Sequence, residues 1–339
     1  MAIQLTNEKI INNSGIYITQ GKLDVLKQHN FICLSESAGG DAPKDVIRVY
    51  EYGRSKKNKT KSWIKYISKI GHKWYPNESI TEHYFTKIGQ CFELSIANSR
   101  LVYAENCIRF LSEHFHNSNS SLEHGASILS RYIMESDNQW IDELDNKKTL
   151  KKEITILDIF KAIKDVFKKD YEVIKNDFID MILFDALTGN NDRHYYNWGV
   201  VRDINDVNNP YFSPIYDTAR GLYWNLSDKK IVSLHKNLKN NNNNQLENYV
   251  LKSKPKISIP DNSNCNHFDL VAYLVKNSYI TKDHKQKWSN VKYLNKALDI
   301  LKNEFNHLFI IERINIIEYI LQLRFEKLSK KITLDDKIT

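Results

Sequence analysis

The sequence predicts an α+β fold in which a strand-rich N-terminal part is followed by a mainly helical C-terminal part. Runs of β-branched and aromatic residues cluster between Phe31 and Leu111, separated by turn-forming or basic segments. Beyond about residue 120 the apolar residues recur at helical spacing instead. The chain has 339 residues, 41% hydrophobic and 27% charged, which is enough to build a sizeable core and unlike a disordered polymer.

Phe31–Leu34 is a short apolar run followed by the Gly-rich turn Ser35–Lys44. Val46–Tyr52 and Trp63–Ser68 read as the next two strands, with the basic stretch Arg54–Lys61 as a solvated loop between them. Tyr84, Phe85, Ile88 and Phe92 then fall at helical spacing, with Ser79 as cap and Glu82 in the capping-box position. Leu101–Tyr103 and Ile108–Leu111 supply two more strands. Ile154–Phe167 is amphipathic, and Tyr171–Leu187 carries an apolar stripe that Gly189 ends as a C-terminal cap. Two further helices are expected over 289–329, and the asparagine run Asn240–Asn244 reads as a mobile loop that continues irregularly to Asp261.

The formal net charge of +8 favours acidic partners such as nucleotide phosphates, or else reflects lysine spread over the surface. Direct nucleic-acid binding is not expected. The four cysteines form no CxxC pair, so neither a zinc site nor a disulfide framework is indicated, and reduced thiols in a cytoplasm are the simplest account. The N-terminus lacks a basic-then-apolar signal pattern. The most apolar stretch, Leu308–Leu323, is interrupted by Glu312, Arg313, Asn315 and Glu318, so it reads as a buried helix and not a membrane span.

The stretch that carries chemistry is Leu187–Val201, in which a helix gives way to Asp192-Arg-His-Tyr-Tyr-Asn197 and then to a β-branched pair. Ser213-Pro-Ile-Tyr-Asp217 follows. Phosphoryl transfer needs a carboxylate beside the attacking hydroxyl and hard oxygen ligands for a magnesium ion bridging the phosphates. Asp192 suits the first role, while the Asn197 amide and the Asp217 carboxylate suit the second. His194 either orients this loop or is a satisfied core histidine. Taken singly, Asp and Asn are ordinary turn formers; their order and the flanking strands make the combination informative.

Asp192-Arg-His-Tyr-Tyr-Asn197 together with Tyr216-Asp217 resembles the catalytic and metal-binding segments of the HipA-like serine/threonine kinases, and is similar to the catalytic loop of phosphatidylinositol kinases. The resemblance implies a two-lobed protein-kinase-like fold with an antiparallel N-lobe sheet carrying one helix. It further implies ATP and Mg2+ as cofactors and transfer of the γ-phosphate to a protein Ser or Thr. Ser37–Lys44 is similar to the family's phosphate loop, which implicates Gly39, Gly40 and Lys44 in nucleotide binding. Lys65 matches the ATP-contacting lysine, with Lys61 and Lys69 close by in sequence. Glu82 matches the helix glutamate that pairs with that lysine, or else it completes a helix cap. Ser35 and Ser37 stand where the family autophosphorylates.

About thirty residues precede this region, which is closer to short HipA-like kinases lacking the extra N-terminal subdomain. Asp41 and Ala42 depart from the Gln or Arg usual in the family's loop, and an acid there is unfavourable beside phosphates unless it points away. The expected organisation is an extension over 1–30, an N-lobe over 31–118 and a C-lobe over 119–335. The C-lobe holds the catalytic loop, 187–222, and a mobile loop, 227–265. An antitoxin-like protein partner and a toxin role follow from the resemblance alone. A lipid kinase and a pseudokinase interaction module are the competing readings.

Overall fold

The computed structural model describes residues 5–6, 10–18, 22–36, 42–116, 119–135, 137–203 and 209–333. The N-lobe is built on β1 (Asp24–Val25), β2 (Phe31–Cys33), β3 (Lys44–Val49) and β4 (Ile64–Lys69), then α1 (Asn77–Cys91), β5 (Ser99–Ala104) and β6 (Cys107–Glu113). Among the described residues the strands form one six-stranded sheet in the order β1-β5-β6-β4-β3-β2. Only β1 with β5 is parallel. Helix α1 packs across β5 and β6, burying Ile80, Tyr84, Phe85 and Ile88.

Each strand expected from the β-branched runs is present, with its ends moved by a few residues. Two expectations are corrected. Helix α1 begins at Asn77, so Ser79 lies inside it and its hydroxyl accepts the Gly71 N–H at 3.1 Å instead of capping the helix. The described residues before Phe31 are not a separate extension. Leu5 and Ile16 are buried, Asp24–Val25 pairs with β5, and the Thr6 hydroxyl donates to Asp45 at 2.6 Å. The fully buried Arg109 binds the same Asp45 at 2.8 Å and donates to the Thr6 carbonyl. A buried guanidinium needs partners for its donors, and the N-terminal segment supplies one.

The C-lobe continues with β7 (Ser120–His124), α2 (Gly125–Tyr132), α3 (Gln139–Asn146), α4 (Leu150–Glu153), α5 (Ile156–Phe167) and α6 (Tyr171–Thr188). Next come β8 (Gly199–Asp203) and β9 (Tyr211–Phe212), which join β7 in a small antiparallel sheet. The chain ends in α7 (Asp228–Lys239), α8 (Asn244–Lys252), α9 (His267–Lys276), α10 (Lys282–Ser289), α11 (Val291–Glu304) and α12 (Ile311–Thr333). The strongly apolar α6 runs through the centre, walled by α5, α9 and α12.

The loop expected over 227–265 is largely helical, which corrects that reading. Helix α7 buries Ile231, Leu234 and His235, and α8 buries Leu246 and Val250, both against α12. Their apolar stripes are narrow and set among Lys and Asn, so periodicity alone was too weak to find them. Asn240–Asn243 is only the tight connection between the two helices.

Candidate active site

Helix α6 ends where expected. Gly189 adopts the left-handed conformation at φ 71° and its N–H closes on the Asp185 carbonyl at 2.8 Å. The side chain of Arg324, from α12, lies directly below and donates to the Ala186 carbonyl at 2.8 Å. The chain then turns through Asn190–Trp198 before entering β8.

That turn is held by one buried ion pair. Asp185 and Arg193 are 2% and 1% exposed, and they meet in a two-point contact, with Nε and Nη2 of Arg193 each 2.9 Å from the carboxylate. Asn190 Nδ2 donates to the same carboxylate at 2.9 Å. The remaining nitrogen, Arg193 Nη1, donates to the carbonyls of Asn197 at 2.8 Å and Tyr216 at 2.7 Å. A single guanidinium therefore ties the end of α6, the loop carrying Asp192 and Asn197, and the segment presenting Asp217. Burial works to lower the Arg193 pKa, and the Asp185 carboxylate overrides it and holds it raised.

Within the loop, Asn197 Nδ2 donates to the Asp192 carbonyl at 2.8 Å, which fixes the amide orientation. His194 Nδ1 accepts the Tyr196 N–H at 3.3 Å, and burial lowers its pKa, so it orders the turn as a neutral ring. Asp192 itself is met by Arg220, with Nη1 to Oδ2 at 3.0 Å. Asp217 follows β9 in left-handed backbone at φ 53°, a conformation Asp tolerates better than most residues.

The lysine facing these acids is Lys69. Its Nζ lies 2.8 Å from Glu82 Oε1 and 3.0 Å from Asp217 Oδ1. The expected pairing of Lys65 with Glu82 is corrected: Lys65 binds Glu36 at 2.6 Å on the outer part of the sheet. Residues four apart on a strand share a face, so alternation could not separate the two lysines. Lys69, the last residue of β4, is the one that reaches the α1 glutamate. Lys44 is directly opposite Lys69 in the β3–β4 register and shares its face.

The charges reinforce one another. Burial pushes the Asp217 carboxyl up, yet Lys69, Lys44 and Arg193 outweigh it and hold it well below the ordinary carboxylate range. Burial likewise opposes the charge on Lys69, and Asp217 and Glu82 overcome that and raise its pKa. Burial raises the Glu82 carboxyl against the pull of Lys69.

Of the residues singled out in the sequence, Glu82 and Asp217 meet at Lys69, Lys44 lies opposite that lysine, and Arg193 ties the loop of Asp192 and Asn197 to the Tyr216 backbone beside Asp217. Gly39, Gly40, Ser37 and Asp41 lie outside the described residues. Lys69 enters the sequence reading only as a close alternative to Lys65, and Arg220 and the Asp185–Arg193 pair have no part in it. Asp185 had left a trace, as a lone acid in the apolar stretch Met181–Leu187.

A strand-rich lobe with a lysine–glutamate pair, set against a helical lobe presenting Asp192, Asn197 and Asp217, defines the two-lobed kinase class of fold. More particularly, the chain belongs to the HipA-like C-terminal domain family, which matches residues 36–279. Its structure is similar to that of the Helicobacter pylori proinflammatory kinase CtkA, with a TM-score of 0.67 and 19% identity, over 91% of this chain and 96% of that one. It is also similar to HipA of the Shewanella oneidensis MR-1 toxin–antitoxin system, solved with HipB and operator DNA. There the TM-score is 0.47 and the identity 13%, over 88% of this chain and 65% of the other. No curated protein sequence matches the chain. Among the described residues no helix is long and apolar enough to cross a membrane.

Proposed function

We propose that this protein is a kinase that binds ATP with Mg2+ in the cleft between its lobes and phosphorylates Ser or Thr on a protein. The observation that carries the reading is the contact of Lys69 with both Glu82 and Asp217, beside the loop holding Asp192 and Asn197. Lys69, held by Glu82, is the group that grips the nucleotide phosphates, in the place first given to Lys65. Lys44 adds a second positive charge on the same face.

The donor set fits a magnesium ion. Asn197 offers an amide oxygen and Asp217 an ionised carboxylate, both hard oxygens, and one or two protein ligands are the usual share when phosphates and water supply the rest. Held by Asn197 and Asp217, the cation would neutralise phosphate charge during transfer. Asp192 orients the acceptor hydroxyl and takes its proton as the new O–P bond forms. The bond from the γ-phosphorus to the bridging oxygen breaks, and ADP leaves with that electron pair.

The test is incubation with labelled ATP, Mg2+ and a lysate, comparing the wild type with Asp192→Asn. Transfer to protein is expected from the wild type and should fall at least about 100-fold in the variant, with ATP affinity retained. Equal labelling by both proteins, or failure of the wild type to bind ATP, overturns the reading. A phosphoinositide vesicle arm separates a lipid acceptor from a protein one. Ser35, just beyond β2, is the described candidate for autophosphorylation; Ser35→Glu should weaken ATP binding through added negative charge, as measured by nucleotide titration. A toxin role with an antitoxin-like partner is proposed from the family, and growth arrest on expression that Asp192→Asn abolishes would support it.

A further inference from the structure

Two neighbouring observations at the cleft remain without a role in this chemistry. Arg220 places Nη1 3.0 Å from Asp192 Oδ2, so the carboxylate needed by an incoming hydroxyl is already engaged. Glu78, one helical turn before Glu82 on α1, is only 8% exposed, and its Oε2 has no hydrogen-bond partner among the described residues. An acid in that situation is costly unless a cation can reach it.

Resting on the kinase reading for its consequence, we propose that Arg220 is a positioning residue that alternates between two acids, holding Asp192 before the acceptor arrives and moving to Glu78 to release it. Arg220 is suited to both placements. Its backbone carbonyl accepts the Asn191 N–H at 3.1 Å, which anchors the residue to the catalytic loop. Its guanidinium lies 5.3 Å from the Trp224 ring centroid, so the indole supplies a face along which a planar cation can slide. The side chain is 29% exposed, which leaves it room to turn. Next to Glu78, the Asn77 amide donates to the Tyr223 and Trp224 carbonyls at 3.3 and 2.6 Å, so the segment that follows Arg220 lies against the start of α1; burial raises the Glu78 carboxyl, and Arg220 is the cation that most opposes this. Glu78 also shares α1 with Glu82, so any shift of α1 that moves the Lys69 pair moves the acid waiting for Arg220 as well.

Arginine NMR on isotope-labelled protein tests the exchange without relying on activity. The Arg220 Nε–H signal is identified by its loss in Arg220→Lys. Asp192→Asn and Glu78→Gln are expected to move it in opposite directions, with the wild type between them and Glu78→Asp intermediate. An Arg220 signal unmoved by Glu78→Gln, or moved the same way by both variants, overturns the proposal.

The kinetic arm is a double-mutant cycle. Glu78→Gln should lower kcat about tenfold with KM for ATP unchanged, and this loss should vanish when Arg220→Ala is added. A loss that persists undiminished without Arg220 means Glu78 acts in some other way and also overturns the proposal. A wild type that transfers no phosphate removes the kinase reading, and the NMR result still decides the exchange.

Discussion

Lys69 and Asp217 are 148 positions apart in the chain, yet Nζ and Oδ1 meet at 3.0 Å, and this contact joins the N-lobe sheet to the segment that follows β9. On the proposed role of Lys69 in holding the nucleotide phosphates, substituting Lys69→Met should cost phosphate transfer at least about 100-fold, and it leaves Glu82 buried without its partner. Lys65→Met, which loses only a contact to the half-exposed Glu36, should stay within about threefold of the wild type. Side-by-side transfer assays of the two variants decide which lysine serves ATP.

Asp217→Asn keeps the size of the side chain and removes its charge. ATP titrations with and without Mg2+ should show that magnesium no longer strengthens binding as it does in the wild type. Magnesium dependence that survives the substitution would assign the metal ligand elsewhere.

Arg193 makes its contacts through three nitrogens in a fixed planar fork. Its removal in Arg193→Leu leaves Asp185 as a buried unpaired acid, at a cost of about 3–5 kcal/mol. Thermal unfolding should shift down on the order of 10 °C. Arg193→Lys should rescue little, since one ammonium cannot reach Asp185, Asn197 and Tyr216 together.

Gly221 passes so close to α6 that an added Cβ would stand 2.3 Å from the Thr188 carbonyl and 2.9 Å from the Phe85 ring. Gly221→Ala should therefore displace the segment that carries Arg220. Reduced thermal stability together with a fall in transfer rate is the expected result, and a variant matching the wild type in both would show that the segment yields freely.

His83, next to Glu82 on α1, is linked to Ser99 at 2.8 Å, and burial and the nearby Lys87 drop its pKa to about 3. The unfolded chain binds the proton more readily, so the stability of the folded form is present above the ordinary histidine pKa and is lost as pH falls through the range from about 6.5 toward 3. Allowing for partial solvent access, this group contributes about 2 kcal/mol of that loss by pH 4. Denaturant titrations of His83→Gln should show a flatter decline over this range than the wild type.

Much of the architecture was legible because it rests on local physics. The strands from Phe31 to Glu113 follow β-branched runs, and the end of α6 follows from Gly189, whose φ of 71° suits a residue without a Cβ. Asp192, Asn197 and Asp217 could be found because a tight loop and a hairpin keep them near one another along the chain. Helices α7 and α8 were missed, since five buried positions among Lys and Asn become decisive only against α12.

The sequence by itself determined the two-part composition of the chain and marked Asp192, Asn197 and Asp217 as one group, because short-range spacing and turn chemistry encode both. Tertiary structure alone decided that Lys69 and not Lys65 faces Glu82, that Asp24–Val25 joins the N-lobe sheet, and that Arg220 stands on Asp192. Strand alternation repeats every two residues and treats both lysines alike. Which of them meets Glu82 depends on where a distant helix lies against the sheet, and that position is set by burial of the whole core.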